Sequence, residues 1–107
     1  SINNVIYALK TRTTPTEKAI KRLSTICYEK CKAIVAYLPN SNIWNPDPRA
    51  KFYKLEVKKI SEKYGVNFLD GNKVINKNNP EDFAPAGPHN SIEGYRKIAE
   101  FISKEID

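Results

Sequence analysis

The sequence predicts an α/β domain: a partial doubly wound sheet of about two parallel strands flanked by helices. Two short apolar runs, residues 33–38 (AIVAYL) and 66–69 (VNFL), carry the strand signal, being mostly hydrophobic and too short for buried helices. Between them runs a helical pattern opened by Asp47-Pro48 and closed by Gly65. Strand, helix and strand in that order imply a right-handed crossover between parallel strands. The third observation is the stretch 82–102, where a Pro- and Gly-rich loop turns into an amphipathic helix.

Taken in order, the chain opens with Ile2, Val5, Ile6 and Leu9 at helical spacing, although the same residues also suit a strand. Thr13-Thr14-Pro15-Thr16-Glu17 then marks a helix start. Thr14 can cap, Pro15 fits the first helical position and Glu17 can complete a capping box. Ile20, Leu23, Cys27 and Cys31 give this helix an apolar face that should end near Lys32. Four residues apart inside a helix, the two cysteines should be buried, unpaired thiols, because helical geometry does not favour their bonding. One histidine and no Cys-x-x-Cys leave no zinc or transition-metal site and no cofactor signature.

After the first strand, the loop 39–46 holds Asn40, Ser41, Asn42 and Trp44. Loops at the carboxyl ends of strands form the ligand crevice in open α/β sheets. Trp44 is therefore a candidate substrate-binding residue, with plain packing the equal alternative. In the next helix Phe52, Tyr53, Val57, Ile60 and Tyr64 should form a broad buried face, and Gly65 a left-handed cap. The long, asparagine-rich loop 71–89 that follows the second strand has the length of a functional segment.

At 107 residues, 40% hydrophobic and 28% charged, the chain has the composition of one soluble globular domain. No apolar run is long enough to span a membrane, and no signal-peptide pattern appears, which leaves the compartment open. Eighteen Lys and Arg against twelve Asp and Glu give a charge of +6. The basic residues are spread along the chain and interleaved with glutamates. Lys51, Lys54 and Lys58 can share a helix face, as a solvated stripe or a phosphate contact. No nucleic-acid-binding motif accompanies them.

The segment 82–102 bears most on function. Tyr95, Ile98, Ala99, Ile102 and Ile106 fall on one face of its helix, with Arg96, Lys97, Glu100 and Lys104 mostly on the other. Asn90 is the expected N-cap and Glu93 its capping-box partner. His89, the only histidine, then stands just before the first turn. A neutral imidazole there can act as a general base near physiological pH.

The run Pro-His-Asn-Ser-x-Glu-Gly-Tyr-Arg-x-Ile-Ala-Glu-x-Ile, with Phe83-Ala84-Pro85-x-Gly87 before it, resembles the C-terminal block of the SGNH (GDSL-like) hydrolase superfamily. The matching positions are His89, Asn90, Gly94, Tyr95, Ala99 and Glu100. The resemblance implies a flavodoxin-like, SGNH-type sheet and makes His89 the base that activates a serine nucleophile. It implies a serine esterase or O-acyltransferase acting on an ester or an acylated carbohydrate, with Asn90 a substrate-binding candidate. Many members carry an aspartate three residues before the histidine; Ala86 stands there in this chain. Asp82 is the nearest upstream carboxylate that can orient the imidazole, Asp70 is a more distant one, and a dyad without an acid is the third alternative.

Residues 1–107 are accordingly either a single domain or the C-terminal portion of a larger SGNH-like domain. Two parallel strands leave edges and faces that call for neighbours. The missing N-terminal part, or another chain, would complete the sheet. The family's Gly-Asp-Ser segment has no counterpart in this sequence; Ser41 is the one serine at a predicted strand end and lacks that setting. From a different class comes a second reading, a non-catalytic α/β binding or assembly module with a basic surface.

Overall fold

Thr14 starts the first helix as its residue type requires. Its hydroxyl oxygen accepts from the Glu17 N–H at 3.1 Å, and Pro15 occupies the first turn. The structure, a computed structural model, describes residues 14–39 and 48–106, so the predicted opening element and the sites at Ser41 and Trp44 lie outside the described residues. Within them the order is α1 (Pro15–Cys27), β1 (Ile34–Tyr37), α2 (Pro48–Lys63), β2 (Asn67–Asp70), two 3-10 turns (Gly71–Lys73 and Pro80–Asp82) and α3 (Ile92–Ile106).

Three sequence expectations fail in α1. Glu17 does not close a capping box; its carboxylate accepts from Lys63 Nζ at 2.7 Å and the Tyr64 hydroxyl at 3.2 Å, joining α1 to the end of α2. The helix also stops at Cys27, short of Lys32, because Glu29 takes a left-handed backbone (φ +56°) and turns the chain back. That turn brings Cys31 to a Cα distance of 4.8 Å from Cys27, and the two form a disulfide. The unpaired thiols expected from a continuous helix are thus replaced by a bridge across its end.

β1 and β2 pair in parallel, with Ile34 opposite Asn67 and Tyr37 opposite Asp70. The strand-helix-strand unit is the α/β arrangement foreseen. β1 is part-buried at every residue and not covered on both faces as its composition suggested. With two strands among the described residues, the sheet has too few neighbours to bury it fully.

Packing of α2 on this sheet also departs from its pattern. Val57, Ile60 and Tyr64 join Ile20, Leu23, Ala33, Val35 and Val66 in one core, but Phe52 is 73% exposed and Tyr53 54%. The reason is length: a helix of 16 residues runs about 24 Å, whereas four-residue strands run about 13 Å. Its first turns overhang the carboxyl ends of the strands and meet no described core residue. At its other end Gly65 (φ +68°) closes the helix, with Val66 N–H donating to Ser61 O and Gly65 N–H to Glu62 O, the paired bonds of a left-handed cap.

A second, separate core lies beneath α3. Ile75, Phe83 and Ile98 are buried there, with Val74 and Ile102 against them. The buried stripe of α3 is Gly94 and Ile98, flanked by the part-buried Phe101 and Ile102, whereas Tyr95, Ala99 and Ile106 are exposed. The predicted face is thus rotated. Gly94 lies against the Asp82 carbonyl, so closely that a Cβ there would collide with it. That contact sets which side of α3 faces inward.

No described helix is long and apolar enough to cross a membrane.

Candidate functional site

The segment before α3 folds as a small antiparallel turn. Phe83 and Asn90 bridge across it, Ala84 N–H donates to His89 O at 2.9 Å, and Ser91 N–H donates to Asp82 O at 2.9 Å. The tip is Pro85-Ala86-Gly87-Pro88, with Gly87 at φ +80°. Phe83 and Asn90, 5% and 7% exposed, point inward. His89, at a bend beside the bridge, is exposed.

Ser91, not Asn90, caps α3. Its hydroxyl oxygen accepts from the Gly94 N–H at 3.1 Å, and its proton goes to Glu81 O at 2.7 Å. Glu93 pairs with Arg96 and so does not complete a capping box; Arg96 also reaches Glu100 at 2.5 Å. The Arg96 guanidinium holds the Glu93 carboxyl below the usual glutamate range. Asn90, freed of the cap, is buried in the bridge, and its Nδ2 has no hydrogen-bond partner.

Asp82 is fully buried, and its carboxylate does not go to the histidine. Oδ2 accepts from Lys97 Nζ at 2.9 Å, across 15 residues of sequence, while Oδ1 has no hydrogen-bond partner. The bond to Asp82 is the chief cause holding the Lys97 ammonium above its ordinary pKa. No hydrogen bond joins Asp82 to His89. The more distant candidate, Asp70, is also committed: its carboxylate pairs with Lys54 at 2.5 Å and accepts from Asn72 N–H at 3.0 Å. That pairing takes Lys54, which also donates to the Asn72 side chain at 3.1 Å, out of the proposed lysine stripe.

Three of the described serines are engaged elsewhere: Ser24 donates to Tyr64 O at 2.8 Å, Ser61 is buried and donates to Val57 O at 2.8 Å, and Ser91 is the cap. The fourth, Ser103, lies in the last turns of α3, more than three turns beyond His89. The structure therefore brings Asp82, Asn90 and His89 into one short turn but points them differently: two inward as supports, one outward. Gly94, Ser91 and Lys97 complete that support. Ser-x-x-Gly at the helix start was a visible signal for the first two; nothing local marks Lys97 as the partner of Asp82.

Among the described residues no group of three His, Cys, Asp or Glu is arranged to hold a metal ion. Comparison of the chain with protein-family models, with curated proteins and with solved structures gives no match.

Proposed function

We propose that this chain supplies the catalytic histidine of an SGNH-like serine esterase or O-acyltransferase, and that its two strands belong to a flavodoxin-like sheet. The observation that carries the reading is the exposed imidazole of His89 on a turn closed by the Phe83–Asn90 bridge, directly in front of α3. A base on such a corner is accessible to a second segment while the helix behind it stays anchored. The resemblance of residues 83–100 to the superfamily's last block supports the same role.

In this mechanism the serine comes from outside the described residues. His89 takes the hydroxyl proton as the serine oxygen bonds to the ester carbonyl carbon, and the bond to the leaving alcohol breaks as that proton is returned to it. Water, attacking next, releases the acid; a sugar hydroxyl instead accepts the acyl group. With Asp82 bound to Lys97, the imidazole works without that carboxylate, as a dyad or with an acid from elsewhere. The acceptor and acyl group are set by the segment that carries the serine.

Reading the coding DNA upstream of Ser1 tests the proposal. A frame that continues into a strand, Gly-Asp-Ser and a helix is the expected result; a start codon directly before Ser1 would refute it.

One observation favours the second reading, a non-catalytic binding or assembly module. Phe52, Tyr53 and Leu55 are exposed at the overhanging end of α2, beside Lys51 and Lys58, and single-chain domains rarely leave several large apolar side chains together without a partner. Replacing His89 by Ala separates the readings, since it would abolish turnover by an esterase and leave partner binding by a module unchanged.

A further inference from the structure

From the geometry of the turn we infer that Lys97 is a positioning residue for His89, acting through Asp82 as a latch that fixes the turn on α3. This rests on the reading of His89 as a base and extends it to a residue that never touches substrate.

Residues 85–89 are exposed and belong to neither core, so apolar packing cannot hold them. The base of the turn, where Asp82 sits, ties them to α3. Its main-chain carbonyl receives the Ser91 N–H and lies against Gly94, and its main-chain N–H donates to Asn79 O at 3.0 Å. Its side chain, fully buried, finds its one charged partner among the described residues in Lys97, one turn further along α3 than Gly94. Four connections thus converge on one residue, and the Lys97 bond alone uses charge. An ionised carboxylate without such a partner is strongly disfavoured in a buried site. Removing the ammonium therefore forces Asp82 either to take up a proton and lose its charged tie to α3 or to move toward solvent, and its carbonyl cannot stay against Gly94 when it moves. The Phe83–Asn90 bridge and the Ala84–His89 bond stand directly on that base.

The latch also explains the placement of a carboxylate seven residues before the histidine with no bond to it. Asp82 orients the imidazole's backbone, not its ring. The nearby carboxylates of Glu81 and Glu93 add to the field at Lys97 but are exposed, and neither is within bonding distance of it.

Amide hydrogen exchange on the chain itself is the test, with Lys97→Met, Lys97→Arg and the double variant Asp82→Asn/Lys97→Met. The double variant removes the buried charge along with its partner, so it keeps the fold if the single change does not. Loss of the latch should lower protection at Ala84 and Ser91 at least about tenfold in Lys97→Met, and by less in the double variant, which has no buried charge left to expel. Protection of Asn67, whose N–H donates to Ala33 O in the sheet, should stay within about twofold, and Lys97→Arg should restore the turn. Equal loss at all three amides would mean a role in global stability only, and unchanged protection at Ala84 and Ser91 would mean no latch; either overturns the inference. Neither result depends on ester turnover, so the latch and the role of His89 stand or fall separately.

Discussion

Replacing Gly94 by Ala sets two well-measured effects against each other, and the structure says which wins. Gly94 is the third residue of α3, and in a helix Ala is favoured over Gly by about 1 kcal/mol. Were the site open, the variant would be more stable by that amount. A Cβ on Gly94 would instead collide with the Asp82 carbonyl oxygen and approach the Asp82 carbonyl carbon to 3.0 Å and Asn90 Cβ to 3.1 Å. The first two are backbone atoms, which cannot rotate away, so the helix and the turn must separate. Overpacking of this kind costs typically 1–3 kcal/mol. Separation also weakens the Ser91 N–H bond to Asp82 O, worth about 1 kcal/mol. Against the gain of about 1 kcal/mol, the net is a loss of roughly 1–3 kcal/mol. Urea unfolding followed by circular dichroism measures it as a lower midpoint at unchanged slope. A midpoint equal to or above that of the parent would refute the close packing of α3 on the turn.

Other consequences can be measured on the same chain. Ile75 is fully buried at the centre of the core under α3, and Ile75→Ala should cost about 2–5 kcal/mol in the same unfolding experiment. Ser91→Ala removes the hydroxyl that caps α3 and should cost about 0.5–2 kcal/mol, whereas a loss confined to Asn90→Ala would restore the cap to Asn90. Glu17 and Glu93 are held below the ordinary carboxyl value of 4.5, chiefly by hydrogen bonds from Lys63 and Arg96. Their stabilisation is present above that value and lost as pH falls through the lower folded-state values. Lys63 and Lys97 are held above 10.5, chiefly by bonds to Glu17 and Asp82, so their stabilisation is full below that pH and lost as it rises through the folded-state values. The urea midpoint should therefore be flat near neutrality and fall at both extremes; a midpoint constant down to about pH 3 would contradict these pairings. Denatured without reductant, the chain should titrate no free thiol, and two reactive thiols would mean that Cys27 and Cys31 are not bonded.

The parts legible in the sequence were those that local chemistry decides. Thr14-Pro15, Pro48 and Gly65 mark helix ends by steric and hydrogen-bonding rules that need no tertiary contact. The two apolar runs read as parallel strands because nothing else suits such short segments. What was lost depended on who packs against whom. The first turns of α2 carry a buried-looking pattern but overhang strands of four residues, a mismatch of lengths that periodicity does not encode. In α3 the buried face is set by the approach of Gly94 to a carbonyl 12 residues away, so its stripe turns from Tyr95 and Ala99 toward Phe101. The cysteine spacing reads as one helical face and misleads, because Glu29 ends the helix before Cys31 in a conformation its residue type seldom adopts. At the candidate site the exposure of His89 depends on how the turn stands on α3 with Phe83 and Asn90 facing inward, which no local pattern encodes. The partner of Asp82 was invisible for the same reason: Lys97 looks like any solvent-facing lysine until the turn folds back on α3.

The most direct test of the proposed role of His89 is a kinetic comparison of the product of the full reading frame with its His89→Ala variant, using p-nitrophenyl acetate at neutral pH. A general base acting on a serine predicts that kcat falls roughly 10²–10⁴-fold while KM stays nearly unchanged. Equal turnover by the two proteins would contradict it.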